Sequence, residues 1–280
     1  MTVSIVKLLA CQIEIPETDT PQQRDQHVLR TADAIEQRLR KDPADLVVLP
    51  ELSSIDYSHD TFNRLAELSE ELDGPSFTAW SELARRCQTT IVFGIVRHDH
   101  GRYCISQLAV GSDGNLIGYF DKIHIAQFGA SMEKGFFQRG NRLFVFELNG
   151  VRIAPIICYD IRIPELTRTL CLRHEADLIL HCGAYYRDRA FYSWHPFVVT
   201  RALENQVFVL SLNRAGKDYG CSLFCPPWVD EQSREQPFGI GEEFRRFEIS
   251  LAEQRKAKRD FPFLADRLSD YEDLPLAEIQ

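Results

Sequence analysis

The sequence predicts an α/β fold in which helices pack outside sheets. Three observations carry that prediction. Apolar, strand-like runs alternate with helical patterns along the chain, an order that lays helices on sheet faces. The chain has 280 residues, of which 44% are hydrophobic, enough for a substantial core in one layered unit. No Gly/Ser- or Pro-rich linker, short-period repeat or low-complexity segment interrupts it, so a single domain over residues 1–280 is expected.

The first strand is expected around residues 3–12 and the first helix over about 21–40. The next apolar run, Leu46-Val47-Val48-Leu49, is short and bounded by Pro50. A proline there stops the strand, so Glu51 projects from its carboxyl end, where open α/β sheets bind ligands. The other reading of Glu51 is a solvated loop residue. Gly111-Ser112-Asp113-Gly114-Asn115 is a turn signal that puts Leu116 onward on the return strand of a hairpin. Lys122 then ends that strand. It is either an edge charge that discourages sheet pairing or an ammonium that stabilises charge in a partly dry site.

A further strand-like run closes at Ile156-Ile157-Cys158, and a helix entered through Pro164 follows to about residue 174. Cys158 thus lies at a strand-to-helix elbow. Free N–H groups of a helix start lower a thiol's pKa and can hold an oxyanion, and elbow nucleophiles are a known catalytic device. The alternative is a buried cysteine that packs as a small apolar residue.

Net charge is -9, from 32 Lys plus Arg against 41 Asp plus Glu. That balance argues against nucleic acid or an anionic membrane as partner. No apolar run approaches the roughly 20 residues of a membrane span, and the start, residues 1–10, is too short and strand-like for a signal peptide. A cytoplasmic protein is expected. The eight cysteines then read as reduced thiols. Cys221-x-x-x-Cys225 and His181-Cys182 offer soft ligands, but the compact Cys-x-x-Cys pairs of structural zinc sites are missing. Neither a metal nor a cofactor is expected. Cys11, Cys171 and Cys182 read as core.

Taken together, Pro50-Glu51, Asp121-Lys122-Ile123-His124 and Cys158-Tyr159-Asp160 resemble, in order and context, the nitrilase superfamily of carbon–nitrogen hydrolases. Glu133, seven residues before Gly140, is similar to that family's second glutamate. Trp194 with Arg201-Ala202-Leu203-Glu204-Asn205, Asn213-Arg214-Ala215-Gly216 and Gly220-x-Ser222 extend the resemblance over about 3–267. It implies a four-layer α-β-β-α sandwich, assembled as a homodimer or larger homo-oligomer; the polar, acidic tail over about 255–280 is itself expected against a second subunit.

The resemblance also implies a reaction. Cys158 would attack an amide carbonyl, Glu51 would carry protons, and Lys122 with the backbone N–H of Tyr159 would hold the oxyanion. Glu133 would orient Lys122 or the substrate. Tyr159-Asp160 stands where true nitrilases have Trp-Glu, so the chain looks like the amidase branches, the ω-amidase-like group above all. Carbamoylases, which share the frame, are the alternative, and a catalytically silent or acyl-transferring homologue is more remote. For the acid end of a substrate, Arg187 and Tyr185 in the segment after His181 are candidates, with Trp194 as a further substrate-binding residue. Arg162 is read first as a structural ion-pair partner and second as an acid-binding group. Cys225-Pro226-Pro227-Trp228 departs from the family's turn at one pocket wall.

Overall fold

The computed structural model describes residues 4–268, 270, 271 and 273–277. Val3, the expected start of the first strand, and the last three residues of the acidic tail lie outside the described residues. In chain order the first half comprises β1 (Ile5–Gln12), α1 (Pro21–Lys41), β2 (Leu46–Val48), the single-turn helices α2 (His59–Phe62) and α3 (Leu65–Leu68), α4 (Pro75–Cys87), β3 (Thr90–Asp99), β4 (Arg102–Val110) and β5 (Leu116–Asp121). The second comprises β6 (Phe146–Leu148), β7 (Val151–Ile157), α5 (Pro164–Arg173), β8 (Leu178–Cys182), α6 (Trp194–Asn205), β9 (Phe208–Leu212), β10 (Leu223–Cys225), β11 (Gln236–Pro237), β12 (Glu243–Ser250) and α7 (Leu251–Asp260).

Two six-stranded sheets result, ordered β12-β1-β2-β3-β4-β5 and β11-β10-β9-β8-β7-β6. Side-chain alternation decides how they stack, because successive residues of a strand face opposite ways. In β1, Val6, Leu8 and Ala10 join Leu178, Leu180, Phe208 and Leu210 in a core between the sheets. Leu9 and Cys11, one residue out of step, meet Val28, Ile35, Trp80 and Leu83 of α1 and α4. On the far side Ile156, Ile179 and Val209 pack against Leu166, Leu170, Val198 and Ala202 of α5 and α6. The layers are therefore helix, sheet, sheet, helix, as expected.

Local chemistry explains where the elements begin. Thr20 caps α1, its hydroxyl accepting from Gln23 N while the Gln23 side chain accepts from Thr20 N, with Pro21 pre-set for the first turn. The Gly111–Asn115 turn joins β4 to β5, with Asp113 accepting from Asn115 N at 2.9 Å.

The topology also gathers chain ends. β1, β2 and β3 are parallel, and β5, two antiparallel steps from β3, runs the same way. β7, β8 and β9 are parallel in the other sheet. Glu51 after β2 and Lys122 after β5 thus leave the same end of one sheet, and Cys158 and the 183–190 loop leave one end of the other.

Candidate active site

Glu51, Lys122 and Glu133 meet in the interior, each with a fully buried side chain. Lys122 Nζ lies 2.8 Å from Glu51 Oε1 and 2.6 Å from Glu133 Oε1. Its burial excludes the edge-charge reading of Lys122, and that of Glu51 the solvated-loop reading. Burial alone would lower the lysine pKa, but the Glu133 and Glu51 carboxylates outweigh it and hold the ammonium well above its ordinary value. Burial raises the Glu51 carboxyl, against the pull of Lys122 and with the repulsion of Glu133. Glu51 Oε2 is buried and makes no hydrogen bond among the described residues. An unpaired buried carboxylate oxygen costs stability, and a catalytic role is one reason for a protein to keep it.

Two devices hold the Glu51 turn. Arg214, itself buried, donates from Nη2 to the carbonyls of Leu52 and Ile55, each at 3.0 Å. The backbone beside Glu51 also lies directly on Gly94 of β3. A Cβ there would stand 2.5 Å from Leu52 N and 2.6 Å from Pro50 O. Gly94→Ala must therefore push the turn away, at a cost of about 1–3 kcal/mol in stability. Because a displacement near 1 Å at a reacting group can cost about 100-fold, kcat is expected to fall far more than the folded fraction. A G94A protein with unaltered kcat would show that the turn's position is unimportant.

Glu133 opens a short 3-10 turn, Glu133–Gly135. Its Oε2 accepts from Ala126 N at 2.8 Å, and its Oε1 accepts from the Tyr57 hydroxyl at 2.9 Å. Tyr57 was not evident from the sequence: it stands in a loop six residues after Glu51, where no periodicity marks an aromatic residue.

Cys158 follows β7 directly, with φ at +46°. A non-glycine residue held there stores about 1–3 kcal/mol of strain. A 3-10 turn, Cys158–Arg162, separates it from α5, so the helix proper starts six residues later than the elbow. That distance corrects the expectation of a lowered thiol pKa. Burial is the largest influence and the Glu51 carboxylate adds to it, so the thiol is pushed well above its ordinary value although Lys122 and the Ala184 N–H pull the other way. Glu51 and Lys122 both act on it electrostatically, in opposite senses. Asp160 ties the two sheets' ends together here, accepting from Ile157 N and His124 N and lying 2.7 Å from His124 Nδ1.

Cys158 and Tyr159 line a pocket together with Tyr57, Ala126, Phe128, Arg162, Ala184, Tyr185 and Asp188, among others. Glu133 lies one residue layer behind, bonded to the lining residues Tyr57 and Ala126, and carries Lys122 and Glu51 with it. The remaining candidates divide. Tyr185 lines the pocket and donates from its hydroxyl to Cys158 O at 2.8 Å. Arg162 also lines it, donating to Ser193 Oγ and Ala190 O, with its buried Nε unpartnered. Among the described residues no carboxylate pairs with it, which corrects the ion-pair reading. Arg187 is outside the lining set. Its Nε donates to Tyr219 O and its Nη2 to Cys221 Sγ, and it covers the Phe191 ring, so it braces the neighbouring loop. Trp194 is fully buried and stacks behind Tyr185 at 4.5 Å, where no substrate reaches it. Trp228 is likewise remote, stacked on Phe261 at 3.8 Å.

Comparison with known proteins gives the chain's family and fold. The family model described as carbon–nitrogen hydrolase matches residues 7–240. A nitrilase of Pyrococcus abyssi is 33% identical over 82% of this chain and 87% of its own length. The 2-oxoglutaramate amidase of Bacillus subtilis is 32% identical over 81% of this chain and 86% of its own. A solved CN-hydrolase superfamily protein from Xanthomonas campestris, 24% identical, superposes with a TM-score of 0.80 over 97% of this chain and 99% of that one.

Proposed function

Because this chain belongs to the carbon–nitrogen hydrolase family, whose amidase members it resembles, we propose that it hydrolyses a small linear amide through a thioester on Cys158 and releases ammonia. One observation carries the reading: Lys122 bridges two buried carboxylates and leaves Glu51 Oε2 unpaired behind the pocket that Cys158 lines.

The steps follow from the groups present. Glu51 Oε2 takes the thiol proton as Cys158 Sγ bonds to the amide carbon. Burial raises the Glu51 carboxyl and so makes it a stronger base, and the Lys122 ammonium favours the thiolate that forms. The oxyanion is held by Lys122 Nζ and Tyr159 N–H. The C–N bond then breaks, Glu51 gives its proton to the nitrogen, and ammonia leaves. Glu51 next deprotonates a water that attacks the thioester, and the product acid and the thiol are restored. Glu133 keeps Lys122 on its aim.

For the substrate's far end we assign Arg162, not Arg187. Arg162 lines the pocket and, among the described residues, is hydrogen-bonded to Ser193 and Ala190 and not to a carboxylate, which leaves its charge for a substrate carboxylate, a group guanidinium binds well. Amides of dicarboxylic acids, such as the substrate named for the Bacillus subtilis relative, fit this placement. We read the assembly as a homodimer whose partner covers the exposed tail residues Phe263, Leu268 and Tyr271. The eight unpaired thiols support a reducing, cytoplasmic setting; among the described residues no helix is long and apolar enough to cross a membrane.

The test is ammonia release across ω-amides of dicarboxylic acids, uncharged amides and N-carbamoyl amino acids, with carbon dioxide followed in parallel. Ammonia alone from an ω-amide is the expected result, with R162Q raising KM for acidic amides more than for uncharged ones. Equimolar carbon dioxide would make the protein a carbamoylase, and no turnover of any linear amide would overturn the proposal.

A further inference from the structure

We propose that His181, Ser211 and Trp194 act as positioning residues, a buried relay that grips the carbonyl of Cys158 and so keeps the nucleophile's backbone in its left-handed conformation. This rests on Cys158 being the nucleophile. The Cys158 carbonyl is met by His181 Nε2 and by the Tyr185 hydroxyl, each at 2.8 Å. A carbonyl only accepts, so His181 must carry its hydrogen on Nε2.

The other end of the ring is equally determined. His181 Nδ1 lies 2.7 Å from Ser211 Oγ, and Trp194 Nε1 lies 2.8 Å from the same oxygen. An indole nitrogen only donates, so Ser211 Oγ accepts there and its own hydrogen goes to Nδ1. With a neutral imidazole every polar atom in the chain has one role. An imidazolium would aim two donors at Ser211 Oγ and leave the hydroxyl hydrogen without a place. Burial agrees, lowering the His181 pKa to about 3. Histidine, serine and tryptophan are all fully buried, so water cannot replace a missing link.

The fold supplies the alignment. His181 and Ser211 are register partners on the parallel strands β8 and β9, and Trp194 begins α6. The same indole lies flat against Tyr185, with 4° between the ring planes, so it backs both donors to Cys158 O. A side chain that touches no substrate thereby aims the one that does.

The test compares H181L, which removes the donor, H181Q, whose amide N–H replaces Nε2–H, and S211A, which removes the hydroxyl that sets the tautomer. Melting curves first give the folded fraction. On folded protein, kcat, KM and the rate of Cys158 alkylation by iodoacetamide are then measured, with the alkylated peptide identified by mass. H181L is expected to lose about tenfold in both kcat and alkylation, the factor one ordinary hydrogen bond sets, with KM changed less. H181Q should recover most of it, and S211A should lose about threefold. A folded H181L that matches wild type, or an H181Q no better than H181L, overturns the relay. Should H181L not fold, an S211A protein with wild-type kcat and alkylation overturns it instead. Failure of the nucleophile itself looks different: Cys158→Ala would remain active, or alkylation would map to another thiol.

Discussion

Cys158→Ala is expected to abolish amide hydrolysis, by on the order of 10⁴-fold or more in kcat, without unfolding the protein. Removal of a nucleophile that works as a unit with its base costs nearly all of the covalent rate. The thiol is small, it lines a pocket, and the turn around it is held by Asp160, His181 and Tyr185 through backbone groups that the variant keeps. The melting temperature should therefore stay within a few degrees. Incubation with substrate followed by intact-mass measurement separates the mechanisms further: wild type should trap an acyl adduct on Cys158 when quenched early, and the variant none. Full activity in the C158A protein would sink the thioester mechanism.

Lys122→Met is expected to damage both activity and stability. Methionine is close in length to the lysine stem, so packing is nearly kept and the loss is that of the charge. Glu51 Oε1 and Glu133 Oε1 then face each other without a cation. Breaking a buried pair in this way costs about 3–5 kcal/mol, and losing an oxyanion donor costs about 100- to 1,000-fold in kcat. The stability loss has a predictable pH dependence. With the cation gone the carboxyl pair retains a proton more tightly in the folded than in the unfolded chain. A folded pKa raised in this sense stabilises below the unfolded carboxyl value near 4.5 and loses that contribution as pH rises through the folded value. The gap between variant and wild type should thus be narrow near pH 4.5 and widen toward pH 8, as measured by urea midpoints. A K122M protein equally stable across that range would mean that the three charged groups do not interact as their spacing implies.

Much of this architecture is legible in the order of residues. The alternation of Val6, Leu8 and Ala10 with Leu9 and Cys11 already contains two buried faces, since a strand with one wet face would show polar residues at every second position. Pro50, the Gly111–Asn115 turn and Pro164 punctuate three of the elements that carry Glu51, Lys122 and Cys158, because proline and turn residues act on the backbone locally. The arginines were not legible in this way. Arg162 and Arg187 both stand in charged, aromatic surroundings, and only the tertiary structure sets Arg162, on the turn that begins at Cys158, at the pocket and turns Arg187, in the 183–190 loop, toward Tyr219 and Cys221. Nor does any sequence pattern show that the His181 ring meets the carbonyl of Cys158.

By itself, then, the sequence determined the layered α/β class and the boundaries of its main elements and singled out Glu51, Lys122, Glu133 and Cys158 as candidates, all readings that rest on local backbone preference, period-two burial or motif order. Only the tertiary structure decided that the thiol is raised and not lowered, that Trp194 works from behind Tyr185, and that Arg162 faces the pocket. Those depend on desolvation and on contacts between chain segments tens of residues apart, quantities that exist only once the two sheets have closed on each other.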